Sequence, residues 1–98
     1  MKLKFKKEGW FCDATTARYK ARLNDDVYVT VEGFDVKDYR RQWFIKFDSE
    51  NLQIGIKLDD RLNRYIDPCP TKKYAIESII DLIENNEDLK KILNETIR

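Results

Sequence analysis

Ala17-Arg18-Tyr19-Lys20-Ala21-Arg22-Leu23-Asn24-Asp25-Asp26-Val27-Tyr28-Val29-Thr30-Val31 is the stretch whose reading decides the fold. Successive side chains of a strand point to opposite faces. Ala17, Tyr19, Ala21 and Leu23 therefore share one side, and Arg18, Lys20 and Arg22 the other. Val27, Val29 and Val31 then alternate with Tyr28, Thr30 and Glu32. Between the two runs Asn24-Asp25-Asp26 is turn chemistry, because Asn and Asp bond their own backbone and tolerate left-handed angles. A loop of about three residues sets Leu23 opposite Val27 and Tyr19 opposite Val31, and a one-residue slip would turn the valines to solvent. The same register faces Arg18 with Glu32 and Arg22 with Tyr28.

Upstream, Leu3 and Phe5 alternate with Lys2, Lys4 and Lys6, a half-buried strand with a lysine-coated outer side. Lysines of this kind guard a sheet edge against pairing with another molecule. Gly9 punctuates, and Trp10-Phe11 anchors the start of the next strand.

Downstream, past Gly33-Phe34-Asp35-Val36-Lys37-Asp38, the alternation predicts a second hairpin. Trp43, Ile45 and Phe47 face Leu52, Ile54, Ile56 and Leu58 across Asp48-Ser49-Glu50-Asn51. The pairs are Phe47–Leu52, Ile45–Ile54 and Trp43–Ile56, with Phe44 lying over the cross-strand Gly55 on the reverse side, an aromatic covering the gap a glycine leaves. Residues 61–66 read as a further strand after Asp59-Asp60.

Pro68-Cys69-Pro70 ends the sheet, since proline cannot continue a ladder and pushes its predecessor to extended geometry. Thr71 is the N-cap of a helix through about Glu84, whose stripe is Ile76, Ile79, Ile80 and Ile83. Asn85-Asn86 breaks it, and Leu89, Ile92, Leu93 and Ile97 form a second, shorter stripe. The expected architecture is α+β: an antiparallel meander of four to five strands with one or two C-terminal helices packed on one face. Residues 1–98 form one domain, the sheet in 1–67 and the helices in 71–98.

Composition narrows the chemistry. Apolar residues make up 42% and charged residues 38% of 98, with 19 basic against 18 acidic groups and no histidine. Without histidine an ordinary serine or cysteine hydrolase lacks its base. Gly9, Gly33 and Gly55 stand alone, so neither phosphate-cradling glycine motif is present. Cys12 and Cys69, with no histidine, cannot complete a tetrahedral zinc site; they read as reduced thiols. The acidic pairs Asp25-Asp26, Asp59-Asp60 and Glu87-Asp88 read as turn and helix-start residues. The chain shows no apolar run after its first lysines, so no signal peptide is expected and the expected location is the cytoplasm.

The sharpest surface signal is Arg18, Lys20 and Arg22, spaced about 6.6 Å apart on one face. Tyr28, Phe44, Lys46 and Lys57 are expected on the same face. Residues 1–46 hold 11 basic and 7 acidic groups, a net +4, whereas residues 47–98 hold 8 and 11, a net −3. Two functions fit. One is a non-enzymatic protein-interaction domain, acting through the sheet face or a partner helix carrying Leu89, Ile92, Leu93 and Ile97. By size and composition it resembles the small regulatory or inhibitory proteins of bacteria and their phages. The other is nucleic-acid binding through the Arg18–Lys20–Arg22 face, against which stands a pI near 7.7 where a dedicated domain is expected above about 9. A carboxylate-based enzyme is a third, weaker reading. The expected partner is a protein or a second copy, with nucleic acid the alternative; no cofactor, metal, membrane or small-molecule substrate is implied.

Overall fold

The structure, a computed structural model, describes residues 3–8, 15–34 and 42–96. Trp10-Phe11, Cys12, residues 35–38 and Ile97 lie outside the described residues. Four strands, β1 (Lys6–Lys7), β2 (Thr15–Arg22), β3 (Val27–Phe34) and β4 (Trp43–Ser49), form one antiparallel sheet in the order β1-β2-β3-β4. The β2–β3 register is the one the alternation requires: Arg18 opposes Glu32, Tyr19 opposes Val31 and Arg22 opposes Tyr28. Its turn is built by Asn24, whose Oδ1 accepts from the backbone N–H of Asp26 and of Val27, both at 2.8 Å. Leu23 N–H donates to Val27 O at 2.9 Å and closes the hairpin.

The second hairpin is not formed. β4 pairs with β3, Val29 opposite Phe47 and Val31 opposite Ile45, and residues 52–61 are a helix, α1 (Leu52–Arg61). The cause is local. Asn51 caps it, its side chain accepting from Gln53 N–H at 3.0 Å and Ile54 N–H at 3.3 Å, the typical work of an N-cap asparagine. Wound at 3.6 residues per turn, Ile54, Leu58 and Leu62 stack on one side. Leu58 and Leu62 are buried, while Leu52 is 77% and Ile56 51% exposed. A strand would have held all four of Leu52, Ile54, Ile56 and Leu58 on one face. Residues 61–66 are likewise no strand: Asn63–Tyr65 is a single 3-10 turn. The sheet thus ends at Ser49, well before residue 67, and three helices rather than one or two follow it.

Phe44 consequently does not meet Gly55, which lies within α1. The aromatic-over-glycine contact exists on another pair. Gly33 opposes Trp43, and a Cβ at Gly33 would sit 2.8 Å from the Trp43 ring. Trp43 is only half-buried, flanking the core.

Thr71 does cap the next helix, α2 (Lys72–Asn85), its Oγ1 accepting from Tyr74 N–H at 3.0 Å. Ala75, Ile79 and Ile83 form its buried line, with Ile76 and Ile80 on the shoulder. Asn86 breaks the chain where expected and caps α3 (Glu87–Thr96), accepting from Leu89 N–H at 2.9 Å. The core joins Val27, Val29, Val31 and Phe47 of the sheet to Leu58, Ile79, Leu89 and Ile92 of the helices.

The β4 edge is closed by two non-strand residues. Trp43 N–H donates to Cys69 O at 2.8 Å and Cys69 N–H returns to Trp43 O at 2.9 Å. Four residues further on, the Asn63 side chain stands in for a strand: its Oδ1 accepts from Phe47 N–H at 2.8 Å and its Nδ2 donates to Phe47 O at 2.6 Å. Among the described residues no helix is long and apolar enough to cross a membrane.

Candidate interaction surface on the open sheet face

With the helices on one side of the sheet, the alternation of β2, β3 and β4 presents the other side to solvent, and the strand register sorts its side chains into rows. One row is Lys6, Lys20, Thr30 and Lys46, which are successive cross-strand partners. It carries three cations and no carboxylate; Thr30 is buried beneath them, its Oγ1 3.4 Å from Lys46 O. The next row holds Arg18, Glu32 and Phe44, with Glu8 joined to it by its N–H bond to Arg18 O at 2.7 Å. On the other side lie Arg22, Tyr28 and Asp48.

Arg18, Lys20, Arg22, Tyr28, Phe44 and Lys46 therefore do gather on one face. Lys57 does not. It lies on α1 and pairs with Glu95 of α3 at 3.5 Å, because its segment is helical. Leu89 and Ile92 are 0% and 1% exposed and Leu93 is half-buried, so the α3 stripe packs within the chain; Ile97 lies outside the described residues.

The cations of β2 and β4 on this face are already engaged. Arg18 Nε sits 3.5 Å from Glu8 and 3.4 Å from Glu32, all three side chains largely shielded. Arg22 meets Glu50 at 2.7 Å, and Lys46 meets Asp48 at 3.7 Å. Lys20 Nζ lies 4.0 Å from the centre of the Tyr28 ring, with the Arg22 guanidinium at 5.9 Å, contacts that favour a cation over a π-face. The Tyr28 hydroxyl is held above its ordinary value of 10.0, chiefly by burial and then by the Asp48 carboxylate, with Arg18 opposing. It is a neutral donor at physiological pH.

Sequence reasoning found the cations of β2 and, through the register, Glu32, but not Glu8 or Glu50. Glu8 and Glu50 lie in segments whose approach to β2 depends on the fold; Glu32 was legible from the register. Two of the grooves among the described residues border this architecture. One, of about 590 Å³, runs between β1 and β2 and is lined by Leu3, Lys4, Lys6, Glu8, Lys20 and Arg22. The other, of about 650 Å³, lies between the Asp67–Pro70 segment and α2, bordered by Tyr65, Tyr74, Glu77 and Asp81. Cys69 lines it, its thiol pushed above its ordinary value by burial, with Ser78 partly opposing. Of the acidic pairs, Asp59 accepts from Asn63 Nδ2 at 2.7 Å, and Glu87-Asp88 open α3. Among the described residues no three Cys, Asp or Glu side chains converge to hold a metal ion.

What the fold and this surface define is a sheet-and-helix α+β domain with one open, mixed-charge sheet face. No protein-family model matches the chain, and no similar curated protein or solved structure was found.

Proposed function

We propose that this chain is a non-enzymatic protein-interaction domain that docks a partner on the open face of its sheet. One observation carries the reading: Arg18, Arg22 and Lys46 each already face a carboxylate on that same surface. A polyanion gains its affinity by replacing the counterions around free cations. Here it would have to displace built-in carboxylates and then lie against Glu8, Glu32 and Asp48. A protein surface with its own alternating charges suits such a mosaic, because complementary patterns set register and partner choice. Tyr28 and Phe44 supply aromatic area of the kind that dominates protein contacts. We read the role as regulatory or inhibitory, working by contact alone.

The test is capture from a nuclease-treated lysate by the immobilised chain, with wild type beside Lys46→Glu and Tyr28→Ala. A protein retained after nuclease and lost from both variants supports the reading. It is overturned if capture vanishes with nuclease and purified chain binds duplex DNA with a log–log salt slope that flattens by about 3 on replacing Arg18, Lys20 and Arg22 with alanine.

A further inference from the structure

The β1–β2 groove is where the balance of charge on the sheet face fails. Lys6 and Lys20 are direct cross-strand partners. Like charges placed directly opposite one another are destabilising. Lys4 and Lys6 are exposed, and among the described residues no carboxylate lies within the 4.0 Å ion-pair range of Lys4, Lys6 or Lys20. The contact of Lys20 is instead the Tyr28 ring. Everywhere else on this face a cation has an acid; here several cations line one groove together with Leu3.

We propose that this groove takes an acidic segment of the partner protein, extended, with carboxylates at alternate positions; this rests on the protein-binding reading above. The spacing supports it. In an extended chain, side chains two residues apart stand about 6.6 Å apart on one face, the pitch of Lys20 and Arg22 on β2, while Lys4 and Lys6 line the facing side of the groove. A carboxylate pair at that pitch lies between the two cationic strands.

The extent of the groove favours a peptide over a nucleic acid. Glu8 lines it as well, and beyond it Glu8 and Glu32 hold Arg18. The unbalanced stretch is therefore short, with Lys4 and Lys6 on one side and Lys20 on the other, and Arg22 at its far end is held by Glu50. Single-strand binders cover about 4–16 nucleotides per site with a continuous basic track, which this face interrupts.

Fluorescence anisotropy at low salt with a short labelled Glu-Ser-Glu-Ser-Glu peptide tests the proposal, using the full chain. The peptide should bind, and Lys6→Ala with Lys20→Ala should weaken it about tenfold, a few-fold for each exposed ion pair lost. Lys73→Ala, on the exposed side of α2, should change affinity less than about twofold and controls for bulk charge. The double variant relieves a like-charge contact, so an unchanged or raised melting temperature confirms that it is folded.

No peptide binding, or binding indifferent to the double variant, overturns the proposal. If a nuclease-resistant partner is still captured in that case, the protein-binding reading stands without it. Tighter binding of an oligothymidylate of equal charge, lost in the double variant, overturns both. A dimer seen by sedimentation that dissociates in the double variant assigns the groove to a second copy instead.

Discussion

At the scale of single residues, Asn63 has the largest role that no sequence pattern announces. Its amide satisfies both the N–H and the C=O of Phe47, a residue with no exposed surface, and donates to Asp59 besides. Asn63→Ala leaves two backbone groups of an inner-lying strand edge unpaired and should cost about 1–3 kcal/mol. Asn63→Asp keeps the acceptor for Phe47 N–H but turns a charge toward Phe47 O and Asp59, so at neutral pH it should fare no better. Urea midpoints measure both; wild-type midpoints in the two variants would mean the edge closure contributes nothing. The contact spans 16 residues of sequence, and nothing near Asn63 marks it. Trp43 and Gly33 teach a related lesson: an aromatic repairing a glycine was a sound expectation, but which glycine depends on which strand is the neighbour.

At the scale of elements, the β2–β3 hairpin and the two final helices were legible, and α1 was not. The hairpin's alternation admits one register that buries the valines, and Thr71 and Asn86 each cap the helix that follows them. For α1 the apolar residues fall at 52, 54, 56 and 58, which satisfies a period of two and also contains the helical line Ile54–Leu58–Leu62. Period alone cannot separate these; the deciding signal was Asn51, read as a loop residue and acting as a cap. The two assignments differ in what they bury. Leu52→Lys and Ile56→Lys should each stay within about 0.5 kcal/mol of wild type, as exposed substitutions do. Leu58→Ala, at 0% exposed, should cost about 2–5 kcal/mol. Chemical denaturation of the three variants checks this. Equal losses at positions 52, 56 and 58 would restore the strand.

At the scale of the whole molecule, the charge asymmetry read from the two halves of the sequence becomes an asymmetry of layers, because β1 to β4 occupy the first half and the helices the second. Arg18, Lys20, Arg22, Tyr28, Phe44 and Lys46 were placed on one face by alternation alone. Lys57 was misplaced with its helix, and Lys4 and Lys6 join the face only through the pairing of β1 with β2. The helical layer bears on the second stripe, which offered two fates: exposure as a partner helix, or burial against its own chain. Leu89 and Ile92 lie in the core with Leu58 and Ile79, and Lys57–Glu95 and the 3.5 Å approach of Asn24 Nδ2 to Leu93 O tie α3 to α1 and to the β2–β3 turn. Burying a leucine or isoleucine is worth about 1.5–3 kcal/mol, so the pair supplies a large share of the 5–15 kcal/mol by which a domain is stable. Deleting residues 86–98 should therefore abolish the cooperative melt, or lower its midpoint by well over the several degrees that about 1 kcal/mol commands in a chain of this size. It should also bare Leu58 and Ile79 to a dye such as ANS. Circular dichroism on heating, with sedimentation on the same samples, reads both effects. A truncated chain that stays folded and monomeric with its melting point unchanged, yet loses a partner the full chain holds, would return α3 to the role of an interaction helix and take it out of the core.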